Sequence, residues 1–223
     1  MNTINPDVFK FYRALEKNNN REWFEPQKER FKVLEAEIKV FNDGVKTGLE
    51  ESDEIEKIKI FRIYRDVRFS KNKTPYKPHF GISFHRKKPN LRGGYYLHIA
   101  PQNSFIATGF WNPNPKDLLR IRKELELDGD ELLEIINKNN FKNIWGEIQG
   151  DSVKTSPRGF SIDHPSIDLI RRKQYIFIKK FDDKSVLSPE FQNQVIKNFK
   201  AIRPFFDYMT NVLTTDLNGV SLL

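Results

Sequence analysis

Three short stretches in the middle of the chain constrain the fold most. Phe80 to His85, Gly94 to Ala100 and Ser104 to Trp111 each carry the residue types of a strand. The links between them hold Pro89-Asn90, Gly93-Gly94 and Pro101-Gln102-Asn103. Such short links favour antiparallel pairing of neighbouring strands. A fourth strand is expected at Tyr175 to Phe181. Phe61, Ile63, Val67 and Phe69 alternate with Arg62, Tyr64, Asp66 and Arg68, which predicts a further strand over 61–69 with one polar face. Arg65 is the exception on its apolar side.

Helical periodicity brackets this sheet. Asn5-Pro6-Asp7 opens a first helix with a capping side chain, a first-turn proline and an acid near the positive end of the dipole. The asparagines 18–20 break it. Trp23-Phe24 begin a short turn, and Pro26 opens a long helix whose Phe31, Leu34, Ile38, Phe41, Val45 and Leu49 form one stripe. Further helices are expected after Asn114-Pro115, around Leu132 to Ile136, and briefly after Asp163-His164-Pro165. From Ser188-Pro189 helical spacing runs to Leu213, and Pro204 should kink or divide that last helix. The fold class is therefore α+β, a single domain over 1–223 with a mostly antiparallel central sheet packed against helices from both ends of the chain.

With 223 residues, 38% hydrophobic and 19 Phe, the chain has enough apolar material for one continuous core. It has no cysteine, which excludes disulfides, thiolate-ligated metals and a thiol nucleophile and fits a reducing compartment. No signal-peptide pattern or membrane-length apolar run is present, so the expectation is a cytoplasmic protein with no membrane partner. The histidines 79, 85, 98 and 164 show no metal-ligand spacing, and no glycine loop of the nucleotide-cradling kind occurs. Neither a metal nor a cofactor is expected.

The net charge of +8 is concentrated. Twelve Lys or Arg lie between Lys57 and Arg92 with a single acid, Asp66, while the rest of the chain holds 26 basic and 29 acidic residues. Phe61, Tyr64, Phe69, Tyr76, Phe80 and Phe84 are interleaved with these cations. That mixture suits polyanions, since cations meet phosphates and rings can stack on bases. The ligand-binding candidates are Arg62, Tyr64, Asp66, Arg68, Lys71, Lys73, Tyr76 and Lys77. Asp66 between arginines reads as an organiser of guanidinium groups, because flanking cations lower its basicity. A second candidate segment is Pro157-Arg158-Gly159-Phe160 with His164, where Arg158 and a nearby helix start would offer donors to an anion.

The leading reading is a pocket, binding or catalytic, for a phosphate-bearing ligand, either a small molecule or a nucleic acid. The alternatives are an acid/base enzyme using His98, His164, Tyr96 or Asp66, and a protein-interaction module with a basic face. Tyr96 and His98 share the less apolar face of their strand, while Trp23, Trp111 and Trp145 are expected to pack in the core or at its rim.

Several of these runs together carry a resemblance. Arg21-Glu22-Trp23-Phe24, Arg65-Asp66-Val67-Arg68-Phe69-Ser70-Lys71 leading to Pro75-Tyr76-Lys77, Gly94-Tyr95-Tyr96-Leu97, Pro157-Arg158-Gly159-Phe160 and His164-Pro165 make the chain similar to the domain-of-unknown-function 2461 family of conserved hypothetical proteins. Where the family pattern leads one to expect an acid between the lysines, this chain reads Lys71-Asn72-Lys73. The resemblance implies a soluble single-domain protein and points to no particular activity, cofactor or catalytic residue.

Overall fold

The computed structural model describes residues 2–223. Its strands β1 (Ile55–Ile60), β2 (Phe80–Arg86), β3 (Gly94–Ile99), β4 (Ser104–Phe110) and β5 (Tyr175–Phe181) form one antiparallel sheet in the order β1-β2-β3-β4-β5, so every strand lies beside its sequence neighbour. Four of these five are the expected strands to within a residue or so. The chain divides into two compact units, one comprising the chain up to Phe84 with Tyr96–Ile106 and Lys180–Lys197, the other comprising His85–Tyr95, Ala107–Lys179 and Asn198–Leu223.

In the first unit, α1 (Pro6–Lys17) begins as its residues dictate, with the Asn5 side chain accepting from Asp7 N–H at 2.9 Å. A short helix α2 (Arg21–Phe24), capped by Asn20, leads through one 3₁₀ turn into α3 (Lys28–Glu50). The whole apolar stripe of α3 from Phe31 to Leu49 is buried, together with Phe11, Tyr12 and Leu15 of α1. Rings dominate this core: Phe31 stacks on Phe80 at 5.6 Å, and Phe11 meets Tyr12, Phe24 and Phe31 at 5.6, 6.4 and 5.7 Å.

The second unit holds α4 (Pro115–Leu127), α5 (Asp130–Asn137), α6 (Asn139–Trp145), α7 (Ile167–Ile170) and, after α8 (Asp183–Val186) and α9 (Phe191–Lys200) of the following segment, α10 (Arg203–Thr214). Pro204 does divide the last helical run. It occupies the first turn of α10, where its missing N–H costs nothing. Gly109 shows why that strand position takes no side chain: its φ is +123°, and a Cβ would lie 2.1 Å from the carbonyl oxygen of Tyr175.

One expected strand is corrected. Residues 61–77 form an excursion between β1 and β2 whose only ladder pair is the isolated bridge between Tyr64 and Tyr76. The strand of this region is β1, which ends at Ile60. The returning limb explains the difference: Pro75 has no N–H to donate, and the Asn72 side chain takes the Thr74 N–H at 3.0 Å, so pairing cannot extend outward. Arg62, Tyr64, Asp66 and Arg68 consequently do not share one sheet face. Two smaller differences are α6, which was not expected, and the start of α7 at Ile167, where a single turn replaces a helix opened at Asp163.

Candidate functional site

The root of the excursion is firmly built. Arg65 N–H donates to Pro75 O at 2.8 Å and Lys77 N–H to Ile63 O at 2.8 Å. From the α1–α2 junction Asn19 reaches the same place: its amide nitrogen donates to Tyr76 O at 3.0 Å and its oxygen accepts from Tyr76 N–H at 3.1 Å. The Tyr76 ring is buried, stacked on Phe24 at 4.1 Å and 5.5 Å from Tyr64. Burial raises its phenol pKa above the ordinary value, the neighbouring Tyr64 adding to the effect. Tyr76 is therefore a packing residue, while Tyr64 is half exposed above it.

The tip has a different character. Asp66 and Arg68 form a two-pronged pair at 2.9 and 2.6 Å, with the Arg68 N–H also donating to the same carboxylate at 3.2 Å. These bonds hold the Asp66 carboxyl below the usual range, and both side chains are exposed. Asp66 thus organises one guanidinium and is poorly suited to accept a proton. Lys73 donates to Val67 O at 3.0 Å, and Lys71 is exposed.

Cations gather instead at the root. The Lys59 and Lys77 ammonium groups stand over the Phe61 ring at 4.9 and 5.9 Å, and Lys77 also donates to Arg62 O at 3.1 Å. Arg65, the exception on the apolar side of the expected strand, donates to Thr74 Oγ1 at 2.8 Å. Among the described residues none of Lys59, Arg62, Arg65 and Lys77 forms an ion pair with a carboxylate. The result is visible in Lys77, whose pKa is lowered by burial first and then by Arg62, Arg65 and Lys59.

A row of rings adjoins this cluster. His79 lies 4.1 Å from His98, which stacks on Phe105 at 4.6 Å and 12°. Tyr96 shares a hydrogen bond of 3.1 Å with His98 Nδ1 and lies 6.3 Å from Phe61. His98 on β3 and Phe105 on β4 thus face each other across neighbouring strands. Burial is the main cause that lowers the His79 pKa to about 4, with Lys77 and Arg65 adding to it. Burial, then His79, lowers that of His98 to about 3. Both rings are neutral near pH 7, and His98 is only 8% exposed, with one nitrogen engaged. His79 joins this row of rings, and nothing local in the sequence signals that residues 79, 98 and 105 come into register.

On the other side of Arg62 there is a cleft of about 390 Å³ between the start of α3 and residues 62–64. Phe24, Phe31, Ile63 and Tyr64 supply its apolar wall, and Lys28, Lys32, Glu35 and Arg62 its polar one. Lys28 is paired with Glu25 at 2.6 Å and Lys32 with Glu29 at 2.7 Å, whereas among the described residues Arg62 and Glu35 have no ion-pair partner.

The second candidate segment lies in the other unit. Arg158 is exposed beside Gly159, which takes a φ of +88°. His164 has both ring nitrogens occupied: Nδ1 accepts from Ser166 N–H at 3.1 Å, so Nε2 carries the hydrogen and donates to Glu126 O at 3.1 Å. It clamps the end of α4 to the turn before α7, and neither nitrogen is left for a ligand or a proton transfer. Of the tryptophans, Trp145 is buried and Trp111 is 58% exposed. Among the described residues no group of three or more histidines and carboxylates is placed to hold a metal ion, and no helix is long and apolar enough to cross a membrane.

Comparison with curated proteins and with solved structures returns no match. A family model does match, over residues 7–208, which takes in α1 from its second residue, the basic excursion, the ring row and the first half of α10. The chain belongs to the family described as conserved hypothetical protein, DUF2461.

Proposed function

We propose that the protein binds a phosphate-bearing ligand at the root of the basic excursion, through Lys59, Arg62, Arg65 and Lys77. The observation that carries this reading is the gathering of four cations with no carboxylate among them, the Lys59 and Lys77 ammonium groups over one ring at 4.9 and 5.9 Å and Lys77 bonded to Arg62 O; burial first, and then the other three cations, make Lys77 less basic. Like charges so placed repel each other in the empty protein, and an anion relieves that repulsion. Two guanidinium groups offer forked donors to phosphate oxygens, and the ammonium of Lys77 adds a point charge. The reading narrows the expected residue set. Arg68 is already held by Asp66 and Tyr76 is packed inside, while Lys71 and Lys73 lie toward the exposed tip. Lys59 and Arg65 enter in their place.

A ligand that binds only the folded protein stabilises it by about 2.7 kcal/mol at a hundredfold excess over its Kd. In a chain of this size that corresponds to a rise in Tm of roughly 5–10 °C. The test is a thermal-shift and calorimetric titration with inorganic phosphate, pyrophosphate, phosphorylated metabolites and a short oligonucleotide. Binding should weaken in Arg62→Gln and Lys77→Gln and fall with added salt. If no phosphate compound stabilises the wild type, or if both variants bind as well as it does, the proposal is wrong.

A further inference from the structure

Arg62 belongs to two features at once. It is one of the four cations at the root of the excursion, and it also lines the cleft beside α3. The cleft is of a size that suits a small ligand. Its apolar wall is largely aromatic, with Phe24, Phe31 and Tyr64. Its polar wall contains one feature that a simple phosphate does not explain. Glu35 is half-buried there, without an ion-pair partner among the described residues, and a carboxylate repels phosphate. What Glu35 can do is accept hydrogen bonds, so a ligand filling this cleft should present N–H donors toward it. A planar ring carrying N–H groups, joined to a phosphate a few bonds away, satisfies the aromatic wall, Glu35 and the cation cluster together.

We infer that the ligand is a nucleoside monophosphate, its base seated in the cleft against Phe24, Phe31 and Tyr64 with its N–H groups on Glu35, and its phosphate on Arg62, Arg65 and Lys77. The inference rests on the phosphate reading above and adds the base to it. It also sets a small ligand against a nucleic-acid chain, since His98, the middle ring of the row, is already in contact with His79 at 4.1 Å and with Phe105 at 4.6 Å and has no face to offer a base.

The test compares the four ribonucleoside 5′-monophosphates with ribose 5-phosphate, which has the same sugar and phosphate and no base. Inorganic phosphate and oligonucleotides of increasing length complete the series. At least one monophosphate should bind ten times more tightly than ribose 5-phosphate. That advantage should shrink at least fivefold in Tyr64→Ala and in Glu35→Gln, while ribose 5-phosphate binds either variant no less tightly than the wild type. Arg62→Gln should weaken every ligand. Melting curves of the unliganded variants establish that each is folded. If ribose 5-phosphate matches all four monophosphates, the base is not recognised and the inference is overturned while the phosphate reading stands. If affinity instead grows with oligonucleotide length and the monophosphates gain nothing from their bases, the ligand is a polymer and the inference is likewise overturned. If no compound of the series binds, the phosphate reading fails and takes the inference with it.

Discussion

Acidification should destabilise this protein through His79 and His98, well before its carboxylates protonate. Both rings have pKa values below the ordinary value of about 6.5, near 4 for His79 and near 3 for His98. The unfolded chain therefore takes up protons first as the pH falls, and stability that is fully present above pH 6.5 is lost between there and about pH 4 for His79 and about pH 3 for His98. Each such group costs about 1.4 kcal/mol per pH unit inside that window. At pH 5 the two together would cost about 4 kcal/mol without screening. His79 is only half-buried and water screens its charge, so about 2 kcal/mol is the expected loss. That is a drop in Tm of roughly 4–8 °C. Urea denaturation at pH 7 and pH 5 measures it directly. The control is the double variant His79→Gln, His98→Asn, in which neither side chain titrates and the asparagine oxygen can still accept from Tyr96. His85 and His164 are present in both proteins, so their contributions cancel. A double variant that loses as much stability between pH 7 and pH 5 as the wild type would refute the argument.

Three further outcomes are expected. Gly109→Ala places a Cβ against the Tyr175 carbonyl at a φ of +123° and should cost more than about 3 kcal/mol, seen as loss of soluble protein or a collapsed urea midpoint; a variant within 1 kcal/mol of wild type would contradict the geometry. In Gly81→Ala the new Cβ would sit 2.7 Å from the Tyr96 hydroxyl, costing about 1–3 kcal/mol, and adding Tyr96→Phe should recover part of that, so additive losses in the double-variant cycle would exclude a direct clash. Asn19→Ala removes both bonds to the Tyr76 backbone, at a cost of about 1–3 kcal/mol, and hydrogen exchange should show the Tyr76 amide losing its protection; unchanged exchange would mean that the clasp does not hold the loop.

Much of the fold was legible because its signals are local. The asparagine–proline openings of α1 and α4, the apolar stripe of α3 and the division at Pro204 all follow from spacing along one element. β1 was not legible, since Ile55, Ile58 and Ile60 do not alternate and the strand is an exposed edge of the sheet. The reverse error arose at 61–69, where alternation is good but the chain opposite supplies Pro75 and Asn72, which cannot continue a ladder. α6 is built on Asn139-Asn140, residues with poor helix propensity that a local reading places in a loop. For the site, the basic excursion was found from charge alone. Its working subset was not, because whether Arg68 is occupied by Asp66, or Lys77 is crowded by Arg62, Arg65 and Lys59, depends on which way side chains turn in three dimensions.

The double bond from Asn19 to the Tyr76 backbone has a consequence for how this region can vary. An amide side chain that gives and takes a hydrogen bond with one residue imitates a neighbouring strand, so the excursion is closed at its base by Asn19 and by the Tyr64–Tyr76 bridge. Beyond that closure, residues 66–73 hold themselves with bonds made inside the tip, Asp66 to Arg68 and Lys73 to Val67. Lengthening or replacing the outermost residues 69–71 therefore leaves Lys59, Arg62, Lys77 and the cleft where they are, because these lie at the closed base, while Asn72 and Thr74 are kept to hold Arg65. The tip is a graftable segment: a reporter peptide or a cleavage sequence inserted between Phe69 and Lys71 would sit outside the packed protein, tethered at its closed base.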